Sequence, residues 1–269
     1  MITIPANPAW HYAFDALAWL SAGLAGWAVH RWRLKGVAER IALTTGPRYF
    51  LALALGAVLG AWGLGSANTL LGPAPSLSHS VAGALAGAIV GVEIWKALAG
   101  VKGSTGTFYV VPFTVGVVVG RWGCLMAGLA DGTYGVPSGV PWAVDLGDGI
   151  GRHPVQIYES LAMLAFLIVY LLALQGRAEW AMRRGFYVMV GVYAVQRFFW
   201  EFLKPYPRLV GPFNLFHILM LGLIIYAVVF FRADLARQRG EKGGALDLLR
   251  PDDEPVRDLP ATGAGQDPR

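Results

Sequence analysis

The sequence predicts an all-α, polytopic membrane protein of about seven transmembrane helices, and three observations carry that expectation. Of its 269 residues, 55% are hydrophobic and 14% charged, whereas about a quarter are charged in an ordinary soluble domain. Apolar runs of about 20 residues, the length that crosses a hydrocarbon core, recur from end to end and leave room for about six to eight spans. The basic residues gather in alternate connections between those runs.

Taken in order, the runs place spans at 14–30, 49–70, 80–100, 107–125, 155–174, 185–203 and 212–231. Each is expected to be helical, because a backbone in lipid must satisfy its own hydrogen bonds. The first connection carries Arg31, Arg33, Lys35, Arg40 and Arg48, and the third Lys96 and Lys102. The fifth carries Arg177, Arg183 and Arg184, and the C-terminal segment opens with Arg232, Arg237 and Arg239. The intervening connections are poor in positive charge: 71–79 has none, and 126–154 sets Arg152 against Asp131, Asp145 and Asp148. The positive-inside rule then puts the N-terminus outside and the C-terminus in the cytoplasm. Trp10, His11, Tyr12 and Trp142 fit an outer aromatic belt.

The N-terminal MITIPANPAWHY has no basic stretch of the kind that opens a cleaved signal peptide, so the first run is expected to stay as a helix. The net charge of +5 fits basic cytoplasmic loops and gives no nucleic-acid surface. A single cysteine, Cys124, excludes an internal disulfide. The chain divides into a transmembrane domain, 1–235, and a charged, Pro/Gly-rich cytoplasmic tail, 236–269, too poor in apolar residues to order itself. Gly83, Gly87 and Gly91 in the third span, and Gly116 and Gly120 in the fourth, have the spacing that lets helix backbones approach closely.

Against this apolar background the polar groups stand out. Arg121 ends the run VVPFTVGVVVG, and a charge set into a membrane segment costs about 2.5–3.5 kcal/mol, which marks functional residues. It lies about 20 Å along its span at 1.5 Å per residue. In the sixth span Tyr193, Arg197 and Glu201 fall four apart and share one stripe of a helix, with Arg197 at nearly the depth of Arg121. The cluster Arg152, His153, Gln156, Tyr158 and Glu159 opens the fifth span at the same outer side. Two arginines in low dielectric offer forked donors for a phosphate or another anion, and an outer-leaflet lipid headgroup is the anion found at that depth. Arg121–Glu159 and Arg197–Glu201 can equally be ion pairs that hold helices together, and the residues alone leave both open.

These residues resemble the prolipoprotein diacylglyceryl transferases of the bacterial inner membrane. The family's G-R-x-G signature is matched by Gly120-Arg121-Trp122-Gly123, running on to Gly128, Gly132 and Gly135. Its R-H-P-x-Q-L-Y-E signature is matched by Arg152-His153-Pro154-Val155-Gln156-Ile157-Tyr158-Glu159, and its Y-x-x-x-R-x-x-x-E-F helix by Tyr193, Arg197, Glu201 and Phe202. The resemblance implies transfer of a diacylglyceryl group from phosphatidylglycerol to the lipobox cysteine of a preprolipoprotein, in a multi-pass inner-membrane protein whose site faces the outer leaflet. Arg121 and Arg197 are implied to hold the phosphate, Glu201 to orient Arg197, and Tyr193 to share the cavity; these four form the catalytic set. Arg152, His153, Gln156, Tyr158 and Glu159 join the two arginines as substrate-binding residues, His153 as a hydrogen-bonding group. The resemblance requires no metal or other cofactor, and no His/Cys/Asp spacing along the chain points to one.

Three departures accompany the match. The family's third-span H-G-G-L-I-G aligns with Ala82-Gly83-Ala84-Leu85-Ala86-Gly87, which lacks the histidine; His79 lies three residues earlier. The family's asparagine after the arginine signature is Cys124, expected as a small packing residue, and His217 stands where the last span commonly has glutamine. Two alternatives follow: a divergent paralogue with another acceptor, and a non-catalytic membrane protein that binds or transports lipid. No internal repeat of the transporter kind is visible, and the polar set lies to one side of the midplane, which favours the interfacial enzyme.

Overall fold

The computed structural model of the chain describes residues 1–70 and 77–248. Among these, eight α-helices follow in order: α1 (Ala9–Val29), α2 (Lys35–Thr44), α3 (Pro47–Leu70), α4 (Val81–Ala99), α5 (Val110–Ala127), α6 (Val155–Gln175), α7 (Gly185–Trp200) and α8 (Leu215–Leu248). Among the described residues, five segments are long and apolar enough to cross a membrane: Pro47–Leu70, Val81–Ala99, Thr107–Asp131, Val155–Gln175 and Leu215–Gly240. The chain is an all-α, multi-pass membrane protein. The other two expected spans, α1 and α7, form as helices but fall outside that group of five. His11 and Asp15 dilute the apolar character of α1, and Gln196 and Arg197 that of α7.

The tail expected from residue 236 is helical at its start, because α8 continues to Leu248. Asp234 and Gln238, one turn apart, explain why: both reach buried Arg184 at the head of α7, Asp234 at 3.8 Å and Gln238 by a hydrogen bond. Arg184 also lies over the Phe231 ring, so a segment that reads as a charged tail is fastened to the bundle. The remainder of that tail, 249–269, lies outside the described residues, as do 71–76 of the second connection.

Apolar side chains facing outward, such as Trp19 at 81% exposure and Leu98 at 84%, give the helices a lipid-compatible surface. The interior is built where α6, α7 and α8 meet, around Met163, Tyr170, Met189, Val190, Tyr193 and Met220, all fully buried. Ser160 of α6 donates to the Val118 carbonyl of α5 at 2.8 Å and ties those two helices together.

The expected close approach at Gly83, Gly87 and Gly91 is present. A Cβ on Gly87 would collide with the Gly56 carbonyl, and one on Gly83 with that of Gly60, so α3 and α4 touch backbone to backbone. Gly116 and Gly120 differ: a Cβ on Gly116 would meet nothing within 4 Å, and both face a cavity.

Outside the helices, three two-residue strands form a small sheet: β1 (Ile2–Thr3), β2 (Val144–Asp145) and β3 (Gly151–Arg152). The first two pair in parallel, and β2 and β3 antiparallel. Asp145 closes the turn between β2 and β3 by accepting from the backbone N–H groups of Gly147, Asp148 and Gly149 at 2.9, 3.1 and 2.9 Å. The sheet and the Asn7 N–H bond to the Met126 carbonyl, 2.9 Å long, fasten the N-terminal segment to the 126–154 loop. That fastening sets where α1 begins and brings His11 beside the end of α5.

Candidate active site

Three helices deliver one buried charge cluster. Arg121 comes from the end of α5 and Glu159 from the first turns of α6. Tyr193 and Arg197 come from α7, and Glu201 and Lys204 follow it. Their exposures are 7% for Arg121, 3% for Arg197 and 0% for Glu159, Glu201 and Lys204. Charges so far from water must be paired, because an unpaired one would lose its hydration with nothing in return.

The pairing is dense. Arg121 Nη2 lies 2.5 Å from Glu159 Oε2, as an ion pair rather than an aligned hydrogen bond, and Arg197 Nη1 lies 3.6 Å from the same oxygen. Lys204 Nζ donates to Glu159 Oε1 at 2.6 Å and to Glu201 Oε1 at 3.3 Å. Arg197 donates through Nε to Glu201 Oε1 at 3.1 Å and through Nη1 to the Tyr193 hydroxyl at 3.0 Å. Asn214 Nδ2 donates to the second oxygen of Glu201 at 3.3 Å. The i, i+4 spacing of Tyr193, Arg197 and Glu201 thus does what the helical repeat predicts. Burial and Arg197 draw the Lys204 ammonium below its ordinary pKa, and the touching carboxylates of Glu159 and Glu201 oppose them. Burial likewise pushes the Tyr206 hydroxyl well above the usual tyrosine value. Three cations against two carboxylates leave the cluster one positive charge in excess.

That excess faces a cavity of about 970 Å³ enclosed by α1, α3, α4, α5, α7 and α8. Arg121 and Arg197 both stand on its wall, together with Cys124, Asp131, Tyr206 and His79. The arginines are ion-paired, one of the two interpretations left open by the sequence, and they also face one shared space. Glu159, Tyr193 and Glu201 contact the two arginines and do not themselves line the cavity.

Arg152, His153, Gln156 and Tyr158, expected to bind substrate, do not line the cavity either. Arg152 Nη1 and Nη2 each donate to Asp148 at 2.7 Å, which occupies its fork, and its guanidinium lies over the Tyr134 ring. The carboxyl of Asp148 is held below its ordinary pKa, first by those hydrogen bonds. Tyr158 accepts from Trp142 Nε1 at 2.6 Å and lies 3.3 Å from His153 Nδ1, so these contacts brace the 126–154 loop against α6. Gln156 is buried in the first turn of α6. The short spacing of R-H-P-x-Q-x-Y-E places these residues near Glu159 in sequence, but the sheet turns Arg152 away. His217 is an interior residue whose Nδ1 accepts from the Asn214 N–H at 3.1 Å among the rings of Phe198, Phe202 and Phe213.

The sequence reading missed Lys204, Asn214 and Tyr206. Lys204 lies three residues after Glu201 at the end of an apolar helix, where a lysine is ordinarily expected in solvent, so its sequence carried no signal of burial. It also missed that His11, Cys124 and Asp131, 113 and 7 residues apart in sequence, bring one potential ligand atom each to within 4.8 Å of one another.

Residues 79–233 match the family model described as prolipoprotein diacylglyceryl transferase. A phosphatidylglycerol–prolipoprotein diacylglyceryl transferase of Bacillus cereus (strain Q1) is 29% identical over 171 residues, covering 56% of this chain and 58% of the relative. The enzyme of that name from Geobacter sulfurreducens is 32% identical over 126 residues, 43% of this chain and 47% of the relative. That from Finegoldia magna is 28% identical over 115 residues, 43% and 44%. The chain spans about half the length of these curated relatives. No solved structure gives a significant match.

Proposed function

Because the chain belongs to the prolipoprotein diacylglyceryl transferase family, we propose that its cavity transfers a diacylglyceryl group from phosphatidylglycerol to the lipobox cysteine of a lipoprotein precursor. The observation that carries this is the placement of Arg121 and Arg197 on one cavity wall, in a cluster with one positive charge in excess. A phosphodiester headgroup brings one negative charge, which that excess matches.

In the reaction the acceptor sulfur attacks the glyceryl carbon that carries the phosphate ester. A C–S bond forms, the C–O bond to phosphate breaks with its electron pair, and glycerol phosphate leaves with a second negative charge. The thiol proton is released in the same exchange. Donors already aimed at the oxygens that gain charge stabilise this step most, and removing one such donor typically costs about 10²–10³ in rate. Arg121 and Arg197 fill that role, held in place by Glu159, Glu201 and the Tyr193 hydroxyl. Guanidinium forks suit the task because they match phosphate oxygens two at a time.

The basic connections support an N-terminus outside and a cytoplasmic C-terminus, which puts the charge cluster in the outer half of a bacterial inner membrane. The decisive experiment incubates purified full-length protein with phosphatidylglycerol vesicles and a lipobox peptide and detects the thioether by mass. Product that disappears in Arg197→Ala supports the proposal. Phosphatidylglycerol binding without product would replace it with the non-catalytic lipid-binding alternative, and product on other thiols in place of the lipobox peptide would identify a different acceptor.

A further inference from the structure

His11, Cys124 and Asp131 meet at the outer end of the cavity, from the first turn of α1, the last turn of α5 and the 3₁₀ turn that follows it. His11 Nδ1 and Asp131 Oδ1 are 3.4 Å apart, yet the buried Nδ1 has no hydrogen-bond partner. Each side chain is also held from its far side. His11 Nε2 faces Asp15 Oδ2 at 3.5 Å, on the side of the ring away from Asp131. Thr133 donates to Asp131 Oδ2, which leaves Oδ1 free. Arg121 Nη1 approaches Cys124 Sγ at 3.8 Å.

We propose that these three residues form a site for one divalent cation of the zinc class, with a fourth coordination position open to the cavity. The donor set selects the metal: a thiolate and an imidazole favour zinc-like ions, whereas magnesium and calcium require several oxygens. The separations suit it. With metal–ligand bonds of about 2.0–2.2 Å to nitrogen and oxygen, a tetrahedral edge is about 3.4 Å, the distance observed between His11 Nδ1 and Asp131 Oδ1. The contact to the larger sulfur closes when the widest separation, 4.8 Å at most, shortens by about 1 Å. Asp15, Thr133 and Arg121 supply the outer layer of hydrogen bonds that metal ligands ordinarily carry. Charge also balances, since a thiolate and a carboxylate neutralise a divalent ion and spare Arg121 a repulsive neighbour.

Three protein ligands and an open position are the pattern of reactive rather than structural zinc sites. Resting on the transfer reaction proposed above, the open position is where the acceptor thiol docks: sulfur binds the metal and loses its proton to solvent. This supplies a thiolate beside Arg121 in a chain whose third helix lacks the family's histidine.

The test uses purified full-length protein treated with a chelator and titrated with Co²⁺ alone, followed by absorption and by metal content. The expected result is one cobalt per chain with a sulfur-to-cobalt charge-transfer band. That band should vanish in Cys124→Ser, and affinity should fall by about 10–100-fold in Asp15→Asn, which keeps all three ligands. A band that survives Cys124→Ser, or affinity unchanged in both Asp15→Asn and His11→Asn, overturns the site. Adding the lipobox peptide to the cobalt protein should intensify the band, and an unchanged band overturns thiol docking there. Cobalt binding needs no turnover, so intact binding with no thioether product would refute the transfer proposal and leave the metal site standing.

Discussion

Glu159 is the carboxylate on which the cluster turns, and Glu159→Gln tests it without changing its size. The wild-type carboxylate, fully buried, neutralises parts of Arg121, Arg197 and Lys204 at 2.5, 3.6 and 2.6 Å. The amide keeps a hydrogen-bonding oxygen but no charge, so three buried cations face Glu201 alone. Removing one partner of a buried ion pair costs about 3–5 kcal/mol, because the remaining charge is left uncompensated. At about 2–4 °C per kcal/mol for a chain of this size, the melting temperature in detergent should fall by about 6–20 °C. Intrinsic tryptophan fluorescence reads this, and the second variant makes it diagnostic. Glu159→Gln/Lys204→Met removes one charge of each sign and restores the original excess of one, so it should recover at least half of the loss. A single variant that melts within about 2 °C of the parent would refute the cluster's burial, and a double variant whose loss is the sum of the two single losses would refute the coupling.

Arg121→Ala should lower thioether formation by about 10²–10³, and Arg121→Lys should restore only part of it, because an ammonium lacks the planar fork. Gly87→Leu should prevent stable folding, since its side chain would enter the Gly56 backbone, whereas Gly116→Ala should melt within about 1 °C of the parent because nothing crowds that position. The folded Asp148 carboxyl ionises below its ordinary value of 3.8, so its pairing with Arg152 stabilises the 126–154 loop above that value and is lost as pH falls through the folded value. The protection of amides 145–152, read as exchange corrected for its intrinsic pH dependence, should therefore fall on acidification into that range, and Asp148→Asn should abolish that fall.

Much of this was legible because membrane helices obey simple rules. Apolar length placed the starts of the five segments that qualify as spans to within three residues, and the helical repeat placed Tyr193, Arg197 and Glu201 on one stripe. Arg121 was legible because a charge in an apolar run is conspicuous. Lys204 was not: at the end of a helix a lysine ordinarily reaches water, and only the inward turn after α7 folds it between two carboxylates. The pairing of Arg152 with Asp148 was not legible either, since proximity in sequence to Glu159 says nothing about the direction in which a strand residue points. The His11–Cys124–Asp131 group depends on the N-terminal segment pairing with a loop more than 100 residues away, which no local spacing encodes. The extension of α8 was hidden because Gln238 looks solvated until Arg184 is seen to bond to it.

The glycine seam between α3 and α4 has a mechanical consequence. Surfaces that mesh through side chains can slip by exchanging rotamers, one knob at a time; surfaces that meet at the peptide backbone have no such intermediate positions. The two helices are therefore coupled as a stiff plate, forming one side of the cavity. A bulky substrate that needs more room cannot wedge them apart. It must displace the plate whole, and the resistance it meets is set at the borders of the plate.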